Sequence, residues 1–297
     1  MKKRVIIFSL SGASRAIYRK LKVEGIEIIA FVDNNPNLVG TLYNGIKIYS
    51  PNSLESLNFD KIVFGGIWQD DIKKELLALN IPIKKILIIN DCDLEYSDEE
   101  RVKATDKLLK EFSDIMKKNN LSYFMEGSSL LCLLRNQDLS KAQDIDIMIK
   151  SLNDLEKLYL ILQEDVALSE NQIIRVLHEE DTLISKKGEL KKIIIKSNTG
   201  STISEPAILD ITALREKYNF YLVTYEKNYY FYYKKEGLES EKIFKYKDIE
   251  LLIPKYEESF LESIYGKDWI NPVTKWTTFD YKNLIDDSNF NKYIINN

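Results

Sequence analysis

The segment Gln143-Asp-Ile-Asp-Ile-Met-Ile149 restricts the chain more than any other stretch. Acidic and aliphatic residues alternate in it, and a period of two is the pattern of a strand with unlike faces. Asp144 and Asp146 then share one face, and Ile145, Ile147 and Ile149 share the other. Two carboxylates side by side repel each other unless a cation lies between them. Their oxygens suit Mg²⁺ or Mn²⁺, and Mg²⁺ typically combines one or two carboxylates with substrate phosphates. Upstream, Tyr123-Phe-Met-Glu-Gly-Ser-Ser129 reads as an apolar strand running into a turn. Gly127 lets backbone approach a phosphate there, and Ser128 and Ser129 offer hydroxyl and N–H donors at a helix start. A third acid, Asp210, sits in Ala207-Ile-Leu-Asp-Ile-Thr-Ala213, which reads as another buried strand. An unpaired carboxylate in such a place is costly. It either bonds nearby backbone at a strand end or joins Asp144 and Asp146 as third metal ligand or as base. An Asp-x-Asp by itself is most often a solvated strand or loop face. The glycine-serine turn and the third acid are what favour a site.

The first part of the chain alternates strand and helix. Val5–Phe8, Ile26–Val32, Lys61–Phe64 and Lys85–Ile89 read as strands, with helices over Ala13–Val23 and Asp71–Leu79. That order predicts a small open parallel sheet. The turn Phe8-Ser-Leu-Ser-Gly-Ala-Ser-Arg15 stands where a Rossmann domain carries its glycines, and Asp33 ends the second strand where an acid would meet a ribose. Ser9, Ser11 and Ser14 occupy the three glycine positions, so NAD is not expected to bind. The segment, with Phe31–Pro36 and Asn44–Ile48, resembles Rossmann-like modules of bacterial sugar-modifying enzymes. Two roles fit it, binding of a small nucleotide-like or sugar ligand and assembly alone. A boundary is expected near Asp91–Tyr96, dividing residues 1–92 from 97–297. Beyond it, Ser97–Glu100 reads as a capping box opening a helix whose buried stripe is Val102, Leu108, Leu109, Phe112, Ile115 and Met116. Strands are expected at Leu121–Met125, Ile173–Leu177, Thr182–Ser185, Leu190–Lys196 and Ile208–Ile211, a helix near Asn153–Gln163, and a polar loop at Asn198–Thr202. Phe220–Tyr225 and Tyr229–Tyr233 read as a hairpin whose tyrosines pack across strands, and the asparagine-rich tail after Asp286 as loosely packed. The fold class is thus α/β: a Rossmann-like parallel-sheet domain followed by an α+β domain.

At 297 residues the chain has room for two domains. A net charge of −4, with Lys and Arg scattered, provides no nucleic-acid-binding surface. Cys92 and Cys132 are the only cysteines and His178 the only histidine, which excludes a disulfide framework and a Cys/His zinc site. The apolar run Val5–Leu10 is too short for a signal peptide, and no run reaches membrane-spanning length, so a cytoplasmic protein is expected.

Residues from about Glu126 to Trp276 resemble the LicD/fukutin-type branch of the nucleotidyltransferase superfamily. The matching motifs are Gly127-Ser128-Ser129, Arg135 on the helix that follows, Asp144-Ile-Asp146-Ile, and Asp210-Ile211. The more specific match is C-terminal: Leu251-Leu-Ile-Pro254, then Tyr265-Gly266-Lys-Asp-Trp269-Ile-Asn-Pro272. Ser140-Lys-Ala-Gln143 departs from the family's Trp-Asp-Asp. The resemblance implies a nucleotidyltransferase-fold domain that transfers a phospho-substituent, phosphocholine- or polyol-phosphate-like, from a CDP-linked donor. The acceptor would be a hydroxyl of a cell-surface glycan, lipid-linked sugar or teichoic-acid precursor. It assigns Asp144, Asp146 and Asp210 to metal and catalysis, and Gly127, Ser128, Ser129 and Arg135 to phosphate. Two other readings use the same residues: nucleotidyl transfer with pyrophosphate leaving, and a non-catalytic sugar-nucleotide-binding scaffold.

Overall fold

The computed structural model describes residues 3–66, 68–90, 94, 97–164, 172–197, 204–273 and 276–295. The chain forms two compact units, Met1–Asp98 with Gly200–Glu205, and Glu99–Thr199 with Pro206–Asn297. The returning segment is held in the first unit through Glu205, a buried carboxylate that accepts from Arg15 Nε at 2.6 Å and from Arg19 at 3.4 Å. Sequence patterning does not foresee this excursion. Cys92 and most of the expected boundary Asp91–Tyr96 lie outside the described residues, as does the expected loop Asn198–Thr202.

The first unit is a six-stranded sheet in the order β3-β4-β2-β1-β5-β6. Its strands are β1 Arg4–Phe8, β2 Glu27–Val32, β3 Leu42–Tyr43, β4 Ile46–Tyr49, β5 Lys61–Gly65 and β6 Ile86–Ile89. All neighbours run parallel except the edge pair β3–β4, a hairpin turning through Asn44 and Gly45, both at positive φ. Helices α1 (Gly12–Val23) and α2 (Gln69–Ala78) supply the crossovers. The continuous apolar run of β1 has its reason here, because a central parallel strand is covered on both faces. Val5 and Ile7 join the cluster of Ala13, Ile17 and Phe31, whereas Ile6 and Phe8 join that of Ile72 and Leu76.

The second unit is built on a five-stranded sheet in the order β7-β8-β11-β10-β9. These are β7 Tyr123–Met125, β8 Ile145–Ile149, β9 Gln172–His178, β10 Leu190–Ser197 and β11 Ala207–Ala213. Only β8 and β11 are parallel to each other. Helix α3 (Glu99–Lys118) buries Leu108, Leu109, Phe112 and Met116, and α5 (Leu152–Glu164) buries Leu155, Leu158 and Leu162. Both stripes share one core with Ile145, Ile147, Ile149, Leu209 and Ile211. That leaves the opposite, less buried positions Asp146, Asp210 and Thr212 for chemistry. Between β7 and β8 lies α4 (Gly127–Leu134). The aromatic hairpin forms as expected: β13 (Phe220–Glu226) pairs with β14 (Tyr229–Lys234), with β12 (Arg215–Lys217) and β17 (Leu284–Asp286) at its edges. β15 (Glu241–Tyr246) and β16 (Ile249–Pro254) make a separate hairpin before the helix Glu257–Tyr265.

Three expectations are overturned. Asp144 does not share a strand with Asp146: β8 begins at Ile145, and Asp144 lies in the bend before it. Thr182–Ser185 is a turn, because the Thr182 hydroxyl accepts the N–H groups of Ile184 and Ser185 at 3.2 and 3.1 Å and so competes with ladder bonding. The tail after Asp286 does not pack loosely: Phe290 and Ile294 are buried against Leu222, Tyr230 and Ile285. Two apolar side chains at i and i+4 give even an asparagine-rich segment one face to bury.

Candidate functional site

Each acid is positioned by a different local device. Arg101, buried on α3, donates one terminal nitrogen to the carbonyls of Ala142 and Gln143 at 2.6 and 2.8 Å, fixing the bend that delivers Asp144. Asp146 lies on β8, and parallel register sets it opposite Asp210 on β11. The Asp146 N–H donates to Ser129 Oγ at 2.8 Å, tying β8 to α4. Asp144, Asp146 and Asp210 each offer an oxygen, and the three lie within 4.8 Å of one another. Of the Asp210 oxygens, Oδ2 accepts from Lys192 Nζ at 2.7 Å, while Oδ1 is buried with no hydrogen-bond partner. A buried acceptor left unpaired beside two further carboxylates is the donor set of a hard divalent cation. Asp144, Asp146 and Asp210 can hold a metal ion.

The acids open into a cleft of about 370 Å³. Lys191, Lys192, Thr212, Thr224, Tyr225, Phe231, Tyr233 and Tyr281 contribute to its walls. Tyr225, Phe231 and Tyr281 follow one another edge-on, with ring centroids 5.4 and 5.3 Å apart. Glu126 is a fourth acid in the cleft, and its Oε1 accepts from the Tyr233 hydroxyl at 3.0 Å. Burial, reinforced by the charges of Asp144, Glu126 and Asp210, holds the Asp146 carboxyl well above the ordinary range. Asp210 is raised by burial, with Lys192 opposing the rise. Burial pushes Glu126 up to about 7 against the pull of the Tyr233 hydrogen bond and of Lys192. Several carboxyls that resist ionisation together are what an acid cluster does without its counter-charge.

The phosphate-binding residues foreseen in the sequence divide. Gly127 lines the cleft at φ +56°, a backbone that favours glycine, and a Cβ there would stand 3.0 Å from Asp146 Oδ2, which would have to give way. Ser128 is exposed, with its hydroxyl 3.4 Å from Asp146 Oδ2. Ser129 is fully buried, and its hydroxyl is committed to the Asp146 N–H, so it positions the acid and does not reach a ligand. Arg135 ends α4 and donates to the Trp269 carbonyl, inside the C-terminal Tyr-Gly-x-x-Trp-x-x-Pro signature. One terminal nitrogen of its guanidinium holds that segment, its Nε is buried with no hydrogen-bond partner, and Arg135 is not among the residues lining the cleft. Sequence patterning missed Glu126, Lys192 and Tyr233. Glu126 was legible as the residue before Gly127, but nothing in a linear pattern brings Lys192 of β10 or Tyr233 of β14 to this cleft.

In the first unit, the serines at the glycine positions bond one another: Ser9 Oγ to Ser14 Oγ at 2.8 Å, with Ser11 Oγ at 3.1 Å from both. Ser9 adopts φ +69°, a backbone that glycine would hold without strain. The Asp33 carboxylate accepts the N–H groups of Leu10 and Asn35, each at 2.7 Å.

Residues 1–87 match the family model described as C2185-like, N-terminal. No curated protein matches the chain. Among solved structures, UDP-D-quinovosamine 4-dehydrogenase from Vibrio fischeri is 24% identical over 30% of this chain and 76% of its own, with a TM-score of 0.25. The lincomycin-bound lincosamide antibiotic adenylyltransferase LnuA is 15% identical over 59% of this chain and 91% of its own, at 0.36. A probable dehydrogenase from Thermotoga maritima is 12% identical over 90% of this chain and 85% of its own, at 0.25. At such scores these likenesses carry no weight for function, which rests on the residues of the cleft. Among the described residues, no helix is long and apolar enough to cross a membrane.

Proposed function

We propose that the second unit is a metal-dependent phosphotransferase. It would move a phospho-substituent, such as phosphocholine or a polyol phosphate, from a CDP-linked donor to a hydroxyl of a cell-surface glycan or teichoic-acid precursor. The observation that carries this reading is the convergence of Asp144, Asp146 and Asp210 within 4.8 Å, with Asp210 Oδ1 buried and unpaired. The LicD/fukutin-type motifs around those same residues support the choice of donor. Mg²⁺ or Mn²⁺ bound there would neutralise the donor diphosphate and the departing CMP. The chain's own residues would do the rest. Gly127 admits a phosphate to the helix start without a Cβ in the way. Tyr225, Phe231 and Tyr281 offer ring faces to a base or to a quaternary amine. A carboxylate of the cluster would take the proton of the attacking hydroxyl as the phosphorus–oxygen bond forms and CMP leaves. On this reading the protein works in the cytoplasm, where nucleotide-linked donors are made.

The test is turnover by the purified full chain with Mn²⁺, CDP-choline or CDP-ribitol, and a sugar acceptor, following nucleotide products by chromatography. Release of CMP that depends on metal and is lost in Asp144→Asn supports the proposal. Pyrophosphate release from CTP in place of CMP from the donor would reassign the site to nucleotidyl transfer. Failure of any cytidine nucleotide to bind with Mn²⁺ would overturn the CDP-donor reading and leave nucleotidyl transfer from another nucleotide and the scaffold.

A further inference from the structure

Asp210 is shared between two duties, and Lys192 is the reason. The direct partner of Asp210 across the β10–β11 ladder is Ile194, and Lys192 pairs with Thr212 two residues along. Residues two apart on a strand lie on the same face. Lys192 therefore comes from the acid-bearing face and reaches diagonally to Asp210 Oδ2 at 2.7 Å. It leaves Oδ1 free. A divalent ion can take Oδ1 without displacing the ammonium, so cation and lysine can occupy the site together. The two differ in exposure: the Asp210 side chain is 12% exposed and that of Lys192 28%, which keeps the ammonium in contact with the cleft. An ammonium has three N–H donors, and one is used by Asp210.

Charge points the same way. A divalent ion leaves the three aspartates with one negative charge in excess, which would still repel a phosphate. The Lys192 ammonium offsets that excess and leaves Glu126, bonded to the Tyr233 hydroxyl, as the remaining acid of the cleft. The other cation lining the cleft, Lys191, donates to the Tyr225 carbonyl at 3.1 Å.

We infer that Lys192 is the phosphate-binding cation of this cleft, held by Asp210 Oδ2 so that its remaining N–H groups meet the diphosphate of a bound nucleotide. The inference rests on the metal-dependent reading of the same site and adds to it a residue that binds substrate. Lysine binds phosphate as a point charge with rotatable donors, which suits a group that must follow a diphosphate as it separates.

The test uses the full chain and two ligands, Mn²⁺ alone and CDP with saturating Mn²⁺, titrated by calorimetry into wild type, Lys192→Gln, Lys192→Met and Lys192→Arg. Gln keeps a donor for Asp210 Oδ2 without the charge and is the variant that folds if Met does not. Lys192→Gln should bind Mn²⁺ as tightly as wild type or tighter, because a like charge has gone. It should bind CDP about 10- to 100-fold more weakly, the effect of losing a hydrogen bond to a charged group. Lys192→Arg should restore most of the CDP affinity, and cytidine, which has no phosphate, should bind all four proteins alike. Equal CDP affinity in wild type and Lys192→Gln overturns the inference and leaves the metal site standing. Loss of Mn²⁺ binding in Lys192→Gln also overturns it, because the lysine would then only shape Asp210. Wild type that binds CDP no better with Mn²⁺ than without it overturns the metal-dependent reading itself, and the inference with it.

Discussion

Asp146→Asn should make the metal-free protein more stable, not less. The three ligand oxygens lie within 4.8 Å of one another. Two unit charges at that separation repel by roughly 3 kcal/mol at an effective dielectric of about 20. Asp210 is half compensated by Lys192 at 2.7 Å, which leaves the Asp144–Asp146 pair as the main uncompensated repulsion. Burial and the charges of Asp144, Glu126 and Asp210 disfavour the charged form of Asp146 and hold its carboxyl well above the ordinary range. The expected gain for the variant is about 1–3 kcal/mol at pH 8 in EDTA, or about 2–12 °C in the melting temperature of a unit this size. A raised carboxyl stabilises the fold below its unfolded pKa and loses that contribution as pH rises through the folded pKa. The gap between variant and wild type should therefore close toward pH 4. Saturating Mn²⁺ should reverse the order: at about 1,000 times its dissociation constant it adds about 4.1 kcal/mol to wild type and nothing to the variant. Thermal melts by circular dichroism at pH 4.5 and 8, with EDTA or Mn²⁺, measure all four conditions. A variant less stable than wild type at pH 8 in EDTA, or one that keeps the Mn²⁺ shift, refutes the reasoning.

Gly127→Ala should destabilise by about 1–2 kcal/mol, because φ +56° is strained for any residue with a Cβ, and should also erase the Mn²⁺ shift by pressing on Asp146 Oδ2; chemical denaturation with and without metal reads both. Glu126, raised from 4.5 to about 7, contributes stability that is full below pH 4.5 and lost as pH rises through 7 in the metal-free protein, and Glu126→Gln should flatten that part of the stability profile. NAD⁺ and NADH should not bind the first unit, because three serine hydroxyls fill the phosphate turn and Asp33 is committed to Leu10 and Asn35; micromolar affinity in calorimetry, lost in Asp33→Ala, would reverse that.

Local periodicity determined much of this protein. The run Val5–Phe8 announced a strand covered on both faces, and the alternation through Asp144–Ile149 announced one whose faces differ in kind. Those patterns are readable because a strand's faces repeat every two residues whatever surrounds it. Asp146 and Gly127 were legible for the same reason, being set by one strand and one turn, whereas Asp144 lies in the bend just before β8 and not on the strand face the alternation implied. Asp210 was legible as an acid out of place in an apolar strand, but its partner was not. Pairing of β8 with β11 and of β11 with β10 is a choice among strands distant in sequence, and only that choice puts Asp210 opposite Asp146 and brings Lys192 to its second oxygen. Glu126 and Tyr233 meet across 107 residues, and Arg101 pins the Asp144 bend from a helix 41 residues upstream. Arg135 and Ser129 look like phosphate ligands in a linear motif, yet packing ties an Arg135 terminal nitrogen to the Trp269 carbonyl and the Ser129 hydroxyl to the Asp146 N–H. Which donors remain free for a ligand is decided by which ones the fold has already used, and that accounting exists only after the chain has closed on itself.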